Sequence, residues 1–131
     1  MGVNVLLAKG QKVLIVDDER GTSDTLAAIF NIAGYEARAT YSAEQALDII
    51  AGWQPSLAIL DVVLPKMNGI DLAIKLAGRR PSCQILLFSG NPHTAQIVQA
   101  AARSGHPFEI LEKPVHPDFM LQRASQLLAV N

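Results

Sequence analysis

The segment Leu57-Ala-Ile-Leu-Asp61 constrains this chain more than any other. Its four apolar residues are too few for a helix of their own and suit a short strand buried on both faces, as in parallel sheets. The run stops on an ionisable side chain, and Pro65 and Gly69 then force a loop before the next helical pattern. A carboxylate where a buried strand surfaces is costly unless charge partners meet it there. In open α/β sheets that carboxyl end is also where ligands bind. A fold built around this strand must therefore bring other groups to Asp61.

The same grammar repeats along the chain. Residues 12–18, Lys-Val-Leu-Ile-Val-Asp-Asp, form a second apolar run that ends in two acids. Over 20–33, Leu26, Ile29, Phe30 and Ala33 fall at helical spacing, and Gly34 stops the helix. Residues 35–41 alternate small or aromatic with polar side chains, as a half-exposed edge strand does. Ser42 followed by Gln45 is a capping-box pattern, opening a helix with Ala43, Ala46, Leu47 and Ile50 on one face. A helix over about 69–78 has Ile70, Ala73, Ile74 and Ala77 in register. Residues 83–88 form the next strand, ending at Ser89-Gly90. A helix over about 92–104 is expected to bury Ile97, Ala100 and Ala101. Residues 108–111 give a last short strand, closed by Glu112-Lys113-Pro114, and a helix from about Pro117 turns Met120, Ala124, Leu127 and Leu128 inward.

The pattern is (βα)₅ with short connections. Strict alternation predicts an α/β fold, a doubly wound five-stranded parallel sheet with helices on both faces. The flavodoxin-like strand order 2-1-3-4-5 is expected, with a crevice between the first and third strands. Residues 1–11 read as a loosely held lead-in and 12–131 as one domain, without internal repeats or low-complexity segments.

Composition narrows the function classes. The chain has 131 residues, half of them hydrophobic, and a net charge of −1. That is large enough for a real core and gives no general pull towards nucleic acid or an anionic membrane. No apolar run approaches the roughly 20 residues of a membrane helix. The opening Met-Gly-Val-Asn lacks a basic n-region and does not read as a signal peptide. Cys83 is the single cysteine, so there is no disulfide framework and a cytoplasmic address is expected.

In such a sheet all strands point their carboxyl ends the same way, which gathers Asp17, Asp18, Asp61, Ser89 and Lys113. Three carboxylates in one crevice repel unless a cation is present. Hard oxygen ligands with room for water suit Mg²⁺ or Mn²⁺ better than zinc. A lysine and a hydroxyl beside a carboxylate-bound metal make a receptor for phosphoryl oxygens.

With these pieces in place, the chain resembles a response-regulator receiver domain of two-component signalling over about residues 12–130. The matching segments are Val-Asp17-Asp18-Glu19, Leu60-Asp61-Val-Val-Leu-Pro65-Lys-Met-Asn-Gly69, Ser89-Gly90 and Lys113-Pro114. The resemblance implies that Asp61 is the phosphoacceptor, and that Asp17, Asp18, Asp61 and the Val63 backbone carbonyl hold Mg²⁺. It implies that the Ser89 hydroxyl and the Lys113 ammonium bind the new phosphoryl group, and that Lys113-Pro114 is a cis peptide. It also implies a sensor histidine kinase or histidine phosphotransfer protein as donor, a downstream partner or output domain, and a possible homodimer on activation. Direct nucleic-acid binding and membrane binding are not expected.

Plainer readings stand beside these. A carboxylate can end a strand because water begins there, and one of Asp17 and Asp18 can simply cap the following helix. Ser89 before Gly90 can be ordinary turn chemistry, and Lys113 a solvated lysine. His93, His106 and His116 read as surface residues, and Trp53 as helix-end packing. The family usually places an aromatic three residues before the lysine. Here Ile110 takes that place, and Phe108 on the same strand face is the candidate substitute. Val63, two residues after Asp61, offers no acid or amide to orient a hydrolytic water, which predicts slow self-dephosphorylation. The chain thus reads as a switch that modifies itself, not as an enzyme acting on an outside substrate. One rival is a receiver-like interaction module that works independently of phosphorylation. The other is a Mg²⁺ phosphatase, but Val63 lies where such enzymes carry a second acid.

Overall fold

The computed structural model describes residues 10–90, 94–105 and 107–129. Most of the expected lead-in, together with Pro92, His93 and His106, lies outside the described residues. The strands are β1 (Lys12–Val16), β2 (Glu36–Thr40), β3 (Leu57–Asp61), β4 (Gln84–Ser89) and β5 (Glu109–Glu112). They alternate with α1 (Arg20–Ile32), α2 (Ala43–Ile50), α3 (Gly69–Arg79), α4 (Thr94–Arg103) and α5 (Pro117–Leu128). The sheet order is β2-β1-β3-β4-β5 and every pairing is parallel, the doubly wound, flavodoxin-like α/β fold that the alternation predicts.

Because side chains alternate across a strand, the central strands feed two cores. Leu14, Val16, Ala58, Leu60 and Leu87 face α2, α3 and α4. Val13, Ile15, Leu57, Ile59, Leu86 and Phe88 face α1 and α5, where Phe30, Met120 and Ala124 pack on them. All five residues of β3 are buried, which is why its run carries no alternation in sequence.

The helix ends follow local chemistry. Ser42 caps α2, its hydroxyl accepting the Gln45 N–H at 3.1 Å, while the Gln45 side chain reaches one residue beyond the usual box to accept the Tyr41 N–H at 2.9 Å. Asn68 caps α3 by accepting the Asp71 N–H at 2.8 Å. Gly34, with φ of 107°, takes the left-handed turn after α1. His116 caps α5 through its imidazole. Trp53 is buried beyond α2, and its indole N–H donates to Glu36 at 2.9 Å.

Two helix faces differ from expectation. In α3, Leu72 and Leu76 are fully buried beside Ile70 and Ala73, whereas Ile74 and Ala77 are half-buried. In α4, Val98 and Ala101 face the core, while Ala100 is exposed and Ile97 is 44% exposed. Both helices have apolar residues at adjacent positions, so two stripes about 100° apart compete, and contact with the sheet and neighbouring helices selects one. No helix among the described residues is long and apolar enough to cross a membrane.

Candidate functional site

The β1–β3 register pairs Val16 with Leu60, so the next residue on each strand, Asp17 and Asp61, surfaces beside the other. Asp17 is fully buried and Asp61 is 6% exposed. One carboxylate oxygen from each of Asp17, Asp61 and the exposed Asp18 lies within 4.8 Å of the other two. Such crowding is tolerable only where donors offset it.

The two buried acids are satisfied in parallel ways. Each accepts a backbone N–H from the residue two positions on, an Asx-type turn: Glu19 to Asp17 Oδ1 at 2.9 Å, and Val63 to Asp61 Oδ1 at 3.0 Å. Each presents its other oxygen to Lys113, whose Nζ lies 3.1 Å from Asp61 Oδ2 and 3.3 Å from Asp17 Oδ2. Burial raises the Asp61 pKa, opposed by the Val63 N–H and the Lys113 ammonium. For Lys113, burial alone lowers the pKa, but Asp61 and Asp17 together outweigh it and the net shift is upward. The lysine is therefore held charged between the two acids.

The sheet aims Lys113 inward. Its backbone N–H donates to the Ser89 carbonyl at 2.8 Å, fixing the exit of β5 against that of β4. Its ammonium lies 4.7 Å from the centre of the Phe88 ring. The Lys113–Pro114 peptide is cis. Ser89 is buried at the exit of β4, one residue past the Phe88 that pairs with Asp61. Asp17, Asp18, Asp61 and Lys113 thus converge, with Ser89 on the adjoining strand. Val63 keeps its N–H on Asp61 and is itself 52% exposed. Ile110 and Phe108 are both half-buried and pack on the α2–α4 core.

Sequence reasoning assigned Gly69 only to loop shape, and the structure gives it a larger part. A Cβ at Gly69 would fall on the Asp61 carbonyl oxygen and within 2.8 Å of both the Asp61 carbonyl carbon and Val62 Cα. The Gly69 N–H also donates to the Val62 carbonyl at 2.8 Å. The first residue of α3 must be glycine because the backbone bearing Asp61 lies against it. The available signal was a glycine directly after a helix cap, where most residues are tolerated.

A cleft of about 560 Å³ opens between α1 and the β5–α5 turn, with Leu26, Ile29, Phe88, Val115 and Met120 among its walls beside Glu19 and Lys113. The chemistry of the donor set fits a hard divalent cation: three carboxylates gather, and Lys113 bridges only two of them.

Comparison with known proteins agrees with this arrangement. Residues 13–125 match the family model of the response regulator receiver domain. The response regulator MprA of Mycobacterium tuberculosis is 27% identical over 117 residues, covering 89% of this chain and 50% of that protein. The nitrogen assimilation regulatory protein NtrX of Azorhizobium caulinodans is 33% identical over 108 residues, covering 81% of this chain and 23% of that protein. The chain therefore spans half or less of the length of these relatives. A CheY-like receiver domain protein from Methanospirillum hungatei superposes with a TM-score of 0.82 at 26% identity, covering 92% of this chain and 94% of that one. By its matched residues, its strand order and its gathered acids, the chain belongs to the response regulator receiver domain family.

Proposed function

We propose that this domain, residues 12–131, is a phosphoacceptor switch in which Asp61 takes a phosphoryl group from the phosphohistidine of a sensor histidine kinase or phosphotransfer protein. The observation that carries the reading is the shared lysine: Lys113 holds one oxygen of Asp61 and one of Asp17 while Asp18 completes an acidic cluster. An Asp61 oxygen attacks phosphorus, the phosphorus–nitrogen bond breaks with its electron pair going to the imidazole, and an acyl phosphate remains on Asp61. Asp17, Asp18, Asp61 and the Val63 carbonyl are the residues that would hold Mg²⁺. Bound there, the ion would supply positive charge to offset that of the phosphoryl oxygens.

The chain's own groups do the positioning. The Val63 N–H orients Asp61 through one oxygen, and the Lys113 ammonium stands where it can exchange a carboxylate oxygen for a phosphoryl oxygen. Ser89, at the next strand exit, is the hydroxyl proposed to donate to the phosphoryl group. The largely apolar cleft beside Lys113 suits the approach of a donor protein. With Val63 in place of a polar residue, no side chain there orients a water for hydrolysis, so the phosphoryl group is expected to persist beyond seconds. Downstream partners, dimerisation and a cytoplasmic address belong to the same proposal.

Phosphorylation with a small-molecule phosphodonor, read on a phosphate-affinity gel, tests it. The expected result is a shifted band that needs both Mg²⁺ and Asp61 and is absent in Asp61→Ala. A folded, Mg²⁺-binding wild type that takes no label would instead favour an interaction module that ignores phosphorylation.

A further inference from the structure

Beneath the acidic loop lies a pair of buried hydroxyls that the proposed mechanism does not use. Ser23, on α1, is fully buried, and Thr40, the last residue of β2, is 2% exposed. The Ser23 hydroxyl lies 3.0 Å from the Thr40 carbonyl oxygen and 3.4 Å from that of Ile15. Having one proton, it donates to Thr40 as the shorter contact. The Thr40 hydroxyl donates to the Ile15 carbonyl at 3.0 Å.

Their backbone contacts tie this pair to the site. The Thr40 carbonyl that accepts from Ser23 also accepts the Asp17 N–H at 3.2 Å. The Ser23 N–H donates to the Glu19 carbonyl at 3.0 Å. Asp17 and Glu19 are the two ends of the acidic turn, and the Glu19 N–H in turn holds Asp17 Oδ1. Ser23 therefore fastens both ends of that turn, one through its N–H and the other through the carbonyl it shares with Asp17. Losing the hydroxyl strands no acceptor, because Thr40 keeps the Asp17 N–H and Ile15 keeps the Thr40 hydroxyl. What is lost is the anchoring of α1 to the sheet beneath the acids.

We infer that Ser23 and Thr40 are positioning residues that fix the Asp17–Glu19 turn in its cation-binding geometry. The cation role rests on the function proposed above. Groups that orient a metal's ligands from behind commonly tune its affinity.

The test compares wild type with Ser23→Ala, Thr40→Val, Thr40→Ser and Ile50→Val. The last lightens the opposite core, far from the turn, and serves as the comparator for lost stability. All are studied at a temperature where each is folded. Ser23→Ala and Thr40→Val are expected to weaken Mg²⁺ binding, measured by calorimetry, by about 10-fold. They should also speed amide exchange at Asp17 and Glu19 beyond any global change. Thr40→Ser, which keeps the hydroxyl, and Ile50→Val should match wild type in Mg²⁺ affinity. Equal Mg²⁺ affinity across all variants, or a loss in Ile50→Val as large as in Ser23→Ala, overturns the inference. A wild type that binds no Mg²⁺ at all is a distinct result, overturning the proposed function and the inference with it.

Discussion

β3 and β5 lie two places apart in one sheet, yet every residue of β3 is buried and none of β5 is. The difference follows their neighbours. β3 has strands on both sides and a core on each face, whereas β5 is an edge strand whose Ile110 and Leu111 are only half-covered. The acids stand on the well-buried strands, Asp17 after β1 and Asp61 at the end of β3, while Lys113 follows the lightly buried β5. One half of the site stands on well-buried strands, and Lys113 follows a strand that is the less covered and so the easier to open. The molecule thus holds its proposed phosphoacceptor on a fully buried strand and its paired lysine just past a lightly buried edge strand.

The sharpest way to break this contrast is to truncate matched residues. Leu60→Ala in β3 should cost about 3 kcal/mol in urea unfolding, and Ile110→Ala in β5 only about 1 kcal/mol. Similar losses would erase the distinction between the halves.

Gly69→Ala attacks the firm half from outside its core. The added methyl meets the Asp61 backbone carbonyl, so a loss of about 2 kcal/mol is expected, together with weaker Mg²⁺ binding in the protein that still folds. A variant with wild-type stability and Mg²⁺ affinity would show that the close approach is unimportant.

Lys113→Met probes the join between the halves. Without the ammonium, Asp17 and Asp61 lose their shared counter-charge, and because that ammonium is partly exposed the Mg²⁺-free protein should lose about 1 kcal/mol. Added Mg²⁺ should raise the melting temperature of the variant more than that of wild type. Equal gains would mean that the lysine does not offset the acids.

The smallest effect concerns Cys83, just before β4. Burial pushes its thiol up from 9.0 to about 12, so the folded state keeps its proton where the unfolded state loses it. This contribution is present below pH 9 and is lost as pH rises towards 12. Thiol reagents at pH 8 should label the folded protein far more slowly than the urea-unfolded one; equal rates would contradict the burial.

Much of the fold was legible because buried parallel strands leave a sharp trace. The run 57–61 has the length, the apolar content and the terminal acid of a central strand, and the alternation at 35–41 marks an edge. The site was legible for the same reason, since a charged residue at the end of an apolar run stands out, and Asp17, Asp61 and Lys113 do meet. The helix faces were less legible. With apolar residues at 72, 73, 74, 76 and 77, α3 offers more than one stripe, and only contact with the sheet and its neighbours selects Leu72 and Leu76. Gly69, Ser23 and Thr40 were not legible as site residues at all. Their part depends on which backbone atoms lie within 3 to 4 Å, and that is a property of the assembled sheet.

The most direct measurement is to locate the phosphoryl group itself. Wild type is treated with a small phosphodonor and Mg²⁺, reduced with borohydride, which converts an acyl phosphate of aspartate to homoserine, and mapped by peptide mass spectrometry. Homoserine at position 61, absent when Mg²⁺ is chelated, is the expected result. Unchanged aspartate at 61, or homoserine at 17 or 18 instead, contradicts the assignment of Asp61 as the phosphoacceptor.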